Sequence, residues 1–300
     1  MLDSFIPAIL RPDFTWPRPV PSAISEATPP LPHISSRNVR VAWGVVHRSL
    51  YYFSQRYCSW FGITFNAHFV QLPFGLVMKW TDRTSIEEVV SMQMAGAAGI
   101  PVPRVLNCGE HPKDPFKISI LMTRLPGVPL ENSAEELQVD LEEPWLEELS
   151  KSFHLLPDRN ALRSTRVPRH IMGPFTDHTQ LLEYLISPAS PHALTTMLEY
   201  EDTLARVQTL KQRDYRITFT HGDFKAHNIL IGDDGHLSGF LDWESAGWYP
   251  EYWEYTTAMR FGKGSWWFQV ASWMGGDRYS DELASDVALN LLTVDSYIAF

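Results

Sequence analysis

Between Ile217 and Glu244 the chain has little freedom in how it can fold. A strand-prone run, Ile217 to Phe219, leads into His221-Gly222-Asp223, Asn228 follows Asp223 by five residues, and a second apolar run spans Ile229 to Ile231. Gly232-Asp233-Asp234-Gly235 is strong turn chemistry, because Gly and Asp tolerate the positive φ of a tight hairpin, and Leu237 to Leu241 reads as the returning strand. The stretch must double back on itself. Pairing centred near Gly235 sets Asn228 opposite Asp242 at the open end, so that a carboxylate, an amide oxygen and nearby Asp223 converge. Hard oxygen ligands of this kind suit Mg²⁺, which takes one or two carboxylates and fills its other positions with water and substrate phosphate. The spacing H-x-D-x-x-x-x-N followed by a strand-borne Asp is that of a kinase catalytic loop and its metal-binding Asp. It points to phosphoryl transfer, with Asp223 catalytic and Asn228 and Asp242 as metal ligands.

Upstream, the first 36 residues hold eight prolines, which deny backbone donors and restrain their predecessors, so this arm is expected to be extended or irregular. Phe14 and Trp16 either clip it onto the body or leave it disordered. From Val41 to Phe65 aromatic residues are frequent but follow no clean period, and Gly44 and Gly62 stand alone, as turn glycines do. Two strands meet around Pro73-Phe74-Gly75, with Lys79 near the end of the second. A helix is predicted from Thr84-Ser85 to about Gly99, with Val90, Met94 and Ala97 or Ala98 on its apolar face. Glu87 and Glu88 both fall in its first turn, where capping boxes with Thr84 and Ser85 would each explain one of them. Short strands follow around Arg104 to Leu106 and Ile118 to Met122, then Thr123-Arg124-Leu125-Pro126-Gly127 as a linker. Beyond it helices are predicted over Ala134 to Glu143, Trp145 to Leu155, Leu194 to Leu210, Tyr255 to Phe261, Trp266 to Trp273 and Asp281 to Phe300, and Gly173-Pro174-Phe175 reads as a turn before another helix at Gln180 to Leu185. The resulting organisation is α+β: a proline-rich arm (1–36), a strand-rich part (37–125) and a mainly helical part (126–300).

The segment His221-Gly222-Asp223 through Asn228-Ile229-Leu230, followed by Asp242-Trp243-Glu244, differs from a protein kinase in having Gly222 in place of Arg and D-W-E in place of D-F-G. In those differences it resembles the aminoglycoside phosphotransferase/choline kinase-like family, and Ala246-Gly247-Trp248-Tyr249-Pro250-Glu251-Tyr252-Trp253-Glu254-Tyr255 looks like the version common in its fungal-type small-molecule kinases. The resemblance implies a two-lobed protein-kinase-like fold with a strand-rich N-lobe and a mainly helical C-lobe, and the cofactors ATP and Mg²⁺. It implies that Lys79 contacts the α and β phosphates and pairs with a glutamate on the next helix. Counting back from Ile100-Pro101-Val102-Pro103-Arg104-Val105 favours Glu87 over Glu88 for that partner. It further implies that linker residues Met122, Thr123 and Leu125 offer backbone groups to adenine, that His221 braces the catalytic loop, and that Lys225 screens phosphate charge. Trp243 then packs where a kinase has Phe, and Glu244 either supports the metal ligand or faces substrate. The chain departs from kinase-like folds in lacking a G-x-G-x-x-G loop in its first part.

Composition narrows the partners. A formal charge of -10 disfavours nucleic acid and anionic membranes, which draw on clustered Lys and Arg, and suits a hydroxylated small molecule that carries positive charge. Trp248, Trp253, Trp266 and Trp267 offer a candidate aromatic wall for an ammonium group, although large aromatics are commonly core. No run of about 18 apolar residues suggests a membrane span. Asp3 and Pro7 do not fit a signal peptide, and Cys58 and Cys108 lack metal-type spacing, so a cytoplasmic protein with free thiols is expected. Two other readings stand beside phosphotransfer: a metal-dependent hydrolase built on His221, Asp223 and His227, and a kinase-like nucleotide-binding or repurposed protein without phosphotransferase turnover.

Overall fold

In a computed structural model, residues 6–19, 29–113, 118–133, 135–142, 144–152, 162–167, 170–260 and 262–294 are described. The arm is irregular, as its prolines require, with one short 3-10 turn at Ala8–Leu10. It is clipped to the body: Phe74 donates its N–H to Ile9 O (2.7 Å), and Trp16 donates its N–H to Arg124 O (2.9 Å) and its indole N–H to Phe74 O (2.9 Å). The Gln71 amide and the Arg124 guanidinium both donate to Pro12 O.

The stretch without a legible period is one 25-residue helix, α1 (Arg37–Phe61). Its buried seam is Gly44, His47, Ser54, Tyr57 and Cys58, which contains little large aliphatic surface, so no apolar stripe marks it in the sequence. Gly62 (φ 64°) closes the helix in the left-handed conformation. Gly44 has a different role from the turn expected of it: it lies mid-helix against β3, where a Cβ would collide with the Glu110 carbonyl.

The hairpin β1 (Phe69–Leu72) and β2 (Leu76–Trp80) turns at Pro73-Phe74-Gly75, with Phe74 and Gly75 both at positive φ. Next come α2 (Ile86–Ala97), β3 (Val105–Glu110), β4 (Ile118–Thr123) and the short β5 (Val128–Pro129). The first sheet is antiparallel in the order β1-β2-β4-β3. One face of it packs Val70, Leu72, Met78 and Leu121 against Leu50 and Tyr51 of α1. The buried face of α2 is Glu88, Val89, Ser91, Met92, Met94 and Ala95, rotated from the expected one so that Val89 rather than Val90 is buried.

Further along are α3 (Trp145–Ser152), the hairpin β6 (Leu162–Val167) and β7 (His170–Phe175), α4 (His178–Ile186), α5 (Met197–Gln208) and β8 (Ile217–Thr220). Gly173-Pro174-Phe175 is therefore strand rather than turn. The helix expected over 134–143 is absent among its described residues apart from a 3-10 turn at Val139–Leu141. The far end expected for the helix at 145 and the last residues of that expected up to 300 lie outside the described residues.

The predicted acidic hairpin forms as β9 (Ile229–Ile231) and β10 (Leu237–Phe240), and β11 (Gly247–Pro250), α6 (Trp253–Met259), α7 (Trp266–Trp273) and α8 (Ser280–Leu292) complete the chain. Its register differs from the symmetric one. The ladder pairs Phe240 with Ile229 and Gly239 with Leu230, then shifts at Ser238 before Leu237 meets Ile231. With Phe240 paired to Ile229, continuation of the ladder would set Leu241, not Asp242, opposite Asn228. Asn228 instead ends the 3-10 turn Ala226–Asn228, and Asp242 follows β10 at φ 58°.

Two compact units result. Among the described residues one comprises 6–19, Pro29–Pro129 and Ile229–Glu244, and the other Leu130–Asn228 and 245–294. The hairpin belongs to the first because β9 pairs with β5, Phe240 donates its N–H to Pro101 O (2.9 Å) and Ser238 Oγ donates to Pro126 O (2.7 Å). The second unit has its own core, built on Leu181, Leu182, Leu185, Tyr249, Trp253 and Leu289.

Candidate active site residues

The first unit holds one lysine among three carboxylates. Lys79 lies on the inner strand β2, 3% exposed, and its Nζ reaches Glu88 Oε1 at 2.8 Å, Asp242 Oδ1 at 2.6 Å and Glu244 Oε2 at 3.6 Å. The partner on α2 is thus Glu88, not Glu87. Ser85 caps the helix by accepting the Glu88 N–H (3.1 Å), and at this third helical position the side chain turns inward to the sheet, while Glu87 stays partly exposed. Trp243, buried beneath, donates its indole N–H to Phe240 O (3.2 Å) and so fixes the strand end from which Asp242 projects. Burial by itself would lower the Lys79 pKa, but Glu88 and Asp242 hold it well above the ordinary lysine value, so the ammonium stays charged. Burial pushes the Glu88 carboxyl up to about 7 against the pull of Lys79, and Glu88 Oε2 is buried without a hydrogen-bond partner among the described residues. Glu244 is also raised, by burial and then by Asp242. Three acids sharing one buried cation leave local negative charge over, which the more exposed Arg83 near Glu244 (3.6 Å) offsets in part.

Of the three linker residues, Met122 is paired on both sides within the sheet, and Thr123 pairs with Leu76 while donating its N–H to Arg104 O. Leu125 lies beyond both ladders.

The second unit carries the catalytic-loop residues. Gly222 sits at φ 80°, and a Cβ there would run into the Ser245 carbonyl, which explains a glycine at this point of the motif. The backbone N–H groups of His221 and Gly222 both donate to Glu254, at 2.7 Å and 3.2 Å, and Glu254 is 0% exposed in the first turn of α6. Its carboxyl is pushed up to about 8 by burial, partly opposed by those two donors. Asp223 is held by Lys225 Nζ at 2.7 Å and by the Asn228 amide, whose Nδ2 donates to Asp223 O (2.9 Å) and Oδ2 (3.2 Å). Burial alone would raise Asp223, but Lys225, His221 and Asn228 together bring its pKa below the ordinary carboxylate value. Trp267 donates its indole N–H to Phe224 O (3.0 Å) and packs on the Phe224 ring.

Beside this loop a pocket of about 490 Å³ is lined by Lys225, His227, Glu135, Glu136, Trp266 and Trp267, among others. Trp266 Nε1 is buried without a hydrogen-bond partner among the described residues. Of the candidate aromatic wall, Trp266 and Trp267 face this pocket, whereas Trp253 stacks on Tyr249 in the core (4.8 Å) and Trp248 packs on Phe219. Among the described residues no group of three or more His, Cys, Asp and Glu is placed to hold a metal, which removes the structural basis of the His221, Asp223 and His227 hydrolase centre. Glu254 and the charge-sharing of Glu244 with Lys79 escaped the sequence reading. The available signal was an acid set inside the aromatic run Tyr252-Trp253-Glu254-Tyr255, where only a buried hydrogen-bonding role accounts for a carboxylate.

Residues 69–283 match the phosphotransferase enzyme family designated APH. Among solved structures, the chain is similar to a thermostable mutant of aminoglycoside phosphotransferase APH(4)-Ia in ternary complex with ADP and hygromycin B, with 14% identity, a TM-score of 0.55, and coverage of 80% of this chain and 89% of that one. It is similar to a further mutant of that enzyme in ternary complex with AMP-PNP and hygromycin B, with 16% identity, a TM-score of 0.53, and coverage of 73% and 78%. At such identities the likeness establishes the fold. Among curated protein sequences none matches.

Proposed function

The chain belongs to the phosphotransferase enzyme family, and from that premise we propose that it is a kinase-type enzyme that moves the γ-phosphoryl group of Mg-ATP to a hydroxyl of a small molecule. The observation that carries this reading is the state of Asp223: ionised, partly buried, aimed by the Asn228 amide and Lys225, on a loop whose backbone is pinned by Glu254. A phosphoryl transfer asks for such positioning more than for a strong base. As the acceptor oxygen forms its bond to phosphorus and the bond to the β-phosphate oxygen breaks, the hydroxyl proton passes to Asp223. His221 supports the loop, and Lys225 offers positive charge to the moving phosphoryl group.

On the nucleotide side, Lys79 binds the α and β phosphates and Glu88 keeps it extended, while the linker at Leu125 offers backbone to the adenine. Asp242 and Asn228 are the proposed magnesium ligands. The fit is chemical: hard oxygen donors, and three carboxylates sharing one buried lysine in a region that gains from added positive charge. When bound, the ion supplies neutralisation of phosphate charge. The pocket beside Lys225 receives the acceptor, and Glu135, Glu136 and the Trp266 and Trp267 rings favour a hydroxylated molecule with positive charge.

A cell-extract screen by mass spectrometry for ATP-dependent gain of a phosphoryl group tests the reading, with Asp223→Asn as the control expected to abolish the gain. Mg-ATP should raise the melting temperature of wild type and Asp223→Asn alike. Absence of that shift in both refutes nucleotide use, and phosphoryl gain retained in Asp223→Asn refutes the role given to Asp223.

A further inference from the structure

The long helix α1 has two faces that the fold treats differently. Its buried seam packs on the first sheet, and Arg37 and Arg40 near its start are tied to Glu110 of β3 at 2.9 and 3.1 Å. The opposite face is apolar and open: Val45 (67% exposed), Val46, Tyr52 (60%), Phe53 and Trp60 (71%) recur at helical spacing with Arg56 among them and Arg48 at the margin. Phe53 and Trp60 meet edge to face at 6.2 Å, which joins them into one surface. The helix carries four arginines and no acid, in a chain whose formal charge is -10, so it is a basic exception on an acidic protein. Among the described residues Arg48 and Arg56 have no ion-pair partner. An open helix face this rich in large apolar side chains marks a candidate interaction site.

We propose that this face of α1 docks on an anionic lipid surface, with the aromatic and valine side chains entering the interfacial layer and Arg48 and Arg56 meeting lipid phosphates. Three features select this occupant. Trp and Tyr, amphipathic rings, favour the membrane–water boundary. A helix with apolar aromatics on its outer face and arginines as its only charges has the composition of an in-plane interfacial helix. A second copy packing α1 on α1 would bring arginines against arginines with no acid on either helix to compensate. The surface is independent of the phosphotransfer residues, and the modest charge predicts reversible attachment. It qualifies the expectation drawn from net charge, because a local basic patch is felt within a screening length of a surface whatever the total.

The test is co-sedimentation of the full chain with phosphatidylcholine vesicles, with and without about a third phosphatidylserine, at low and high salt. Binding is expected to the anionic vesicles only and to weaken with salt. Arg48→Gln with Arg56→Gln should weaken it about 25-fold, at about fivefold per arginine; Arg48→Lys with Arg56→Lys should retain it. Val45→Ser with Trp60→Ser should also release the protein, with melting temperature unchanged because these side chains are exposed. Equal binding to both vesicle types, binding to neither, or wild-type binding by the double Gln variant overturns the proposal. A dimer abolished by the Ser pair, without vesicle binding, would assign the face to a second copy instead.

Discussion

Glu254→Ala would remove the carboxylate that accepts from two backbone donors, buried His221 N–H and part-buried Gly222 N–H. Leaving a buried donor unsatisfied costs about 1–3 kcal/mol, so the loss at His221 alone puts the expected destabilisation in that range, with a smaller addition from Gly222. Glu254→Gln keeps one oxygen in place to accept from the loop and should cost far less. The difference is measurable by urea denaturation, and locally by amide exchange at His221 and Gly222, which should accelerate about 30-fold for every 2 kcal/mol lost from that segment. A pH series adds an independent signature. The folded-state pKa of Glu254 is raised from its ordinary 4.5 to about 8, so its contribution to stability is fully present below about 4.5 and is lost as pH rises through about 8. Wild type should weaken across that window, and Glu254→Gln should weaken less. A Glu254→Ala cost under about 1 kcal/mol, or a Gln variant as damaged as the Ala variant, would show that the loop does not depend on this carboxylate.

Glu88→Gln should cost more than about 2 kcal/mol in chemical denaturation, because it removes a charge from a buried pair, whereas Glu87→Gln should stay within about 0.5 kcal/mol; equal effects would refute the assignment of Glu88 to Lys79. Gly222→Ala should lower stability by about 2 kcal/mol or more, from backbone strain at φ 80° together with the clash on Ser245, and an unchanged melting temperature would contradict that geometry. His178, pushed down to about 4 by burial, binds its proton less readily folded than unfolded. Stability should therefore fall as pH drops from about 6.5 toward 4, by up to about 3 kcal/mol, and His178→Gln should flatten that slope in a pH series of thermal melts.

How much of this was legible depended on whether the deciding physics is local. The hairpin and its turn could be read because Gly and Asp at positive φ are a local requirement; the turn at Pro73-Phe74-Gly75 placed Lys79 on a strand, but only the family resemblance singled it out from an ordinary edge lysine. The register could not: the ladder shifts between Leu237 and Gly239, and Gly239 lies against Leu125 and Pro101, more than a hundred residues away in sequence. Choosing between Glu87 and Glu88 required knowing which residue capped the helix, and both candidate caps were chemically suitable. Helix α1 escaped because its buried positions are Gly, His, Ser, Tyr and Cys rather than Leu or Ile, so its signature lies in contacts rather than in period. Glu254 escaped for the same reason: its partners are backbone groups, which leave no mark in the sequence.

The clasp formed by the proline-rich arm has a kinetic meaning. Trp16 bonds Phe74 across 58 residues, the Arg124 side chain bonds Pro12 across 112, and Arg18 pairs with Asp234 across 216. The arm is synthesised before every one of these partners, and its last contact must wait for the acidic turn near the far end of the chain. Closing so long a loop is slow, and until it closes Phe14 and Trp16 are apolar groups without a seat. The arm should therefore dock late in folding, as the step that completes the first unit. A bulky fusion at the N-terminus would slow that step and leave an otherwise assembled domain open to aggregation.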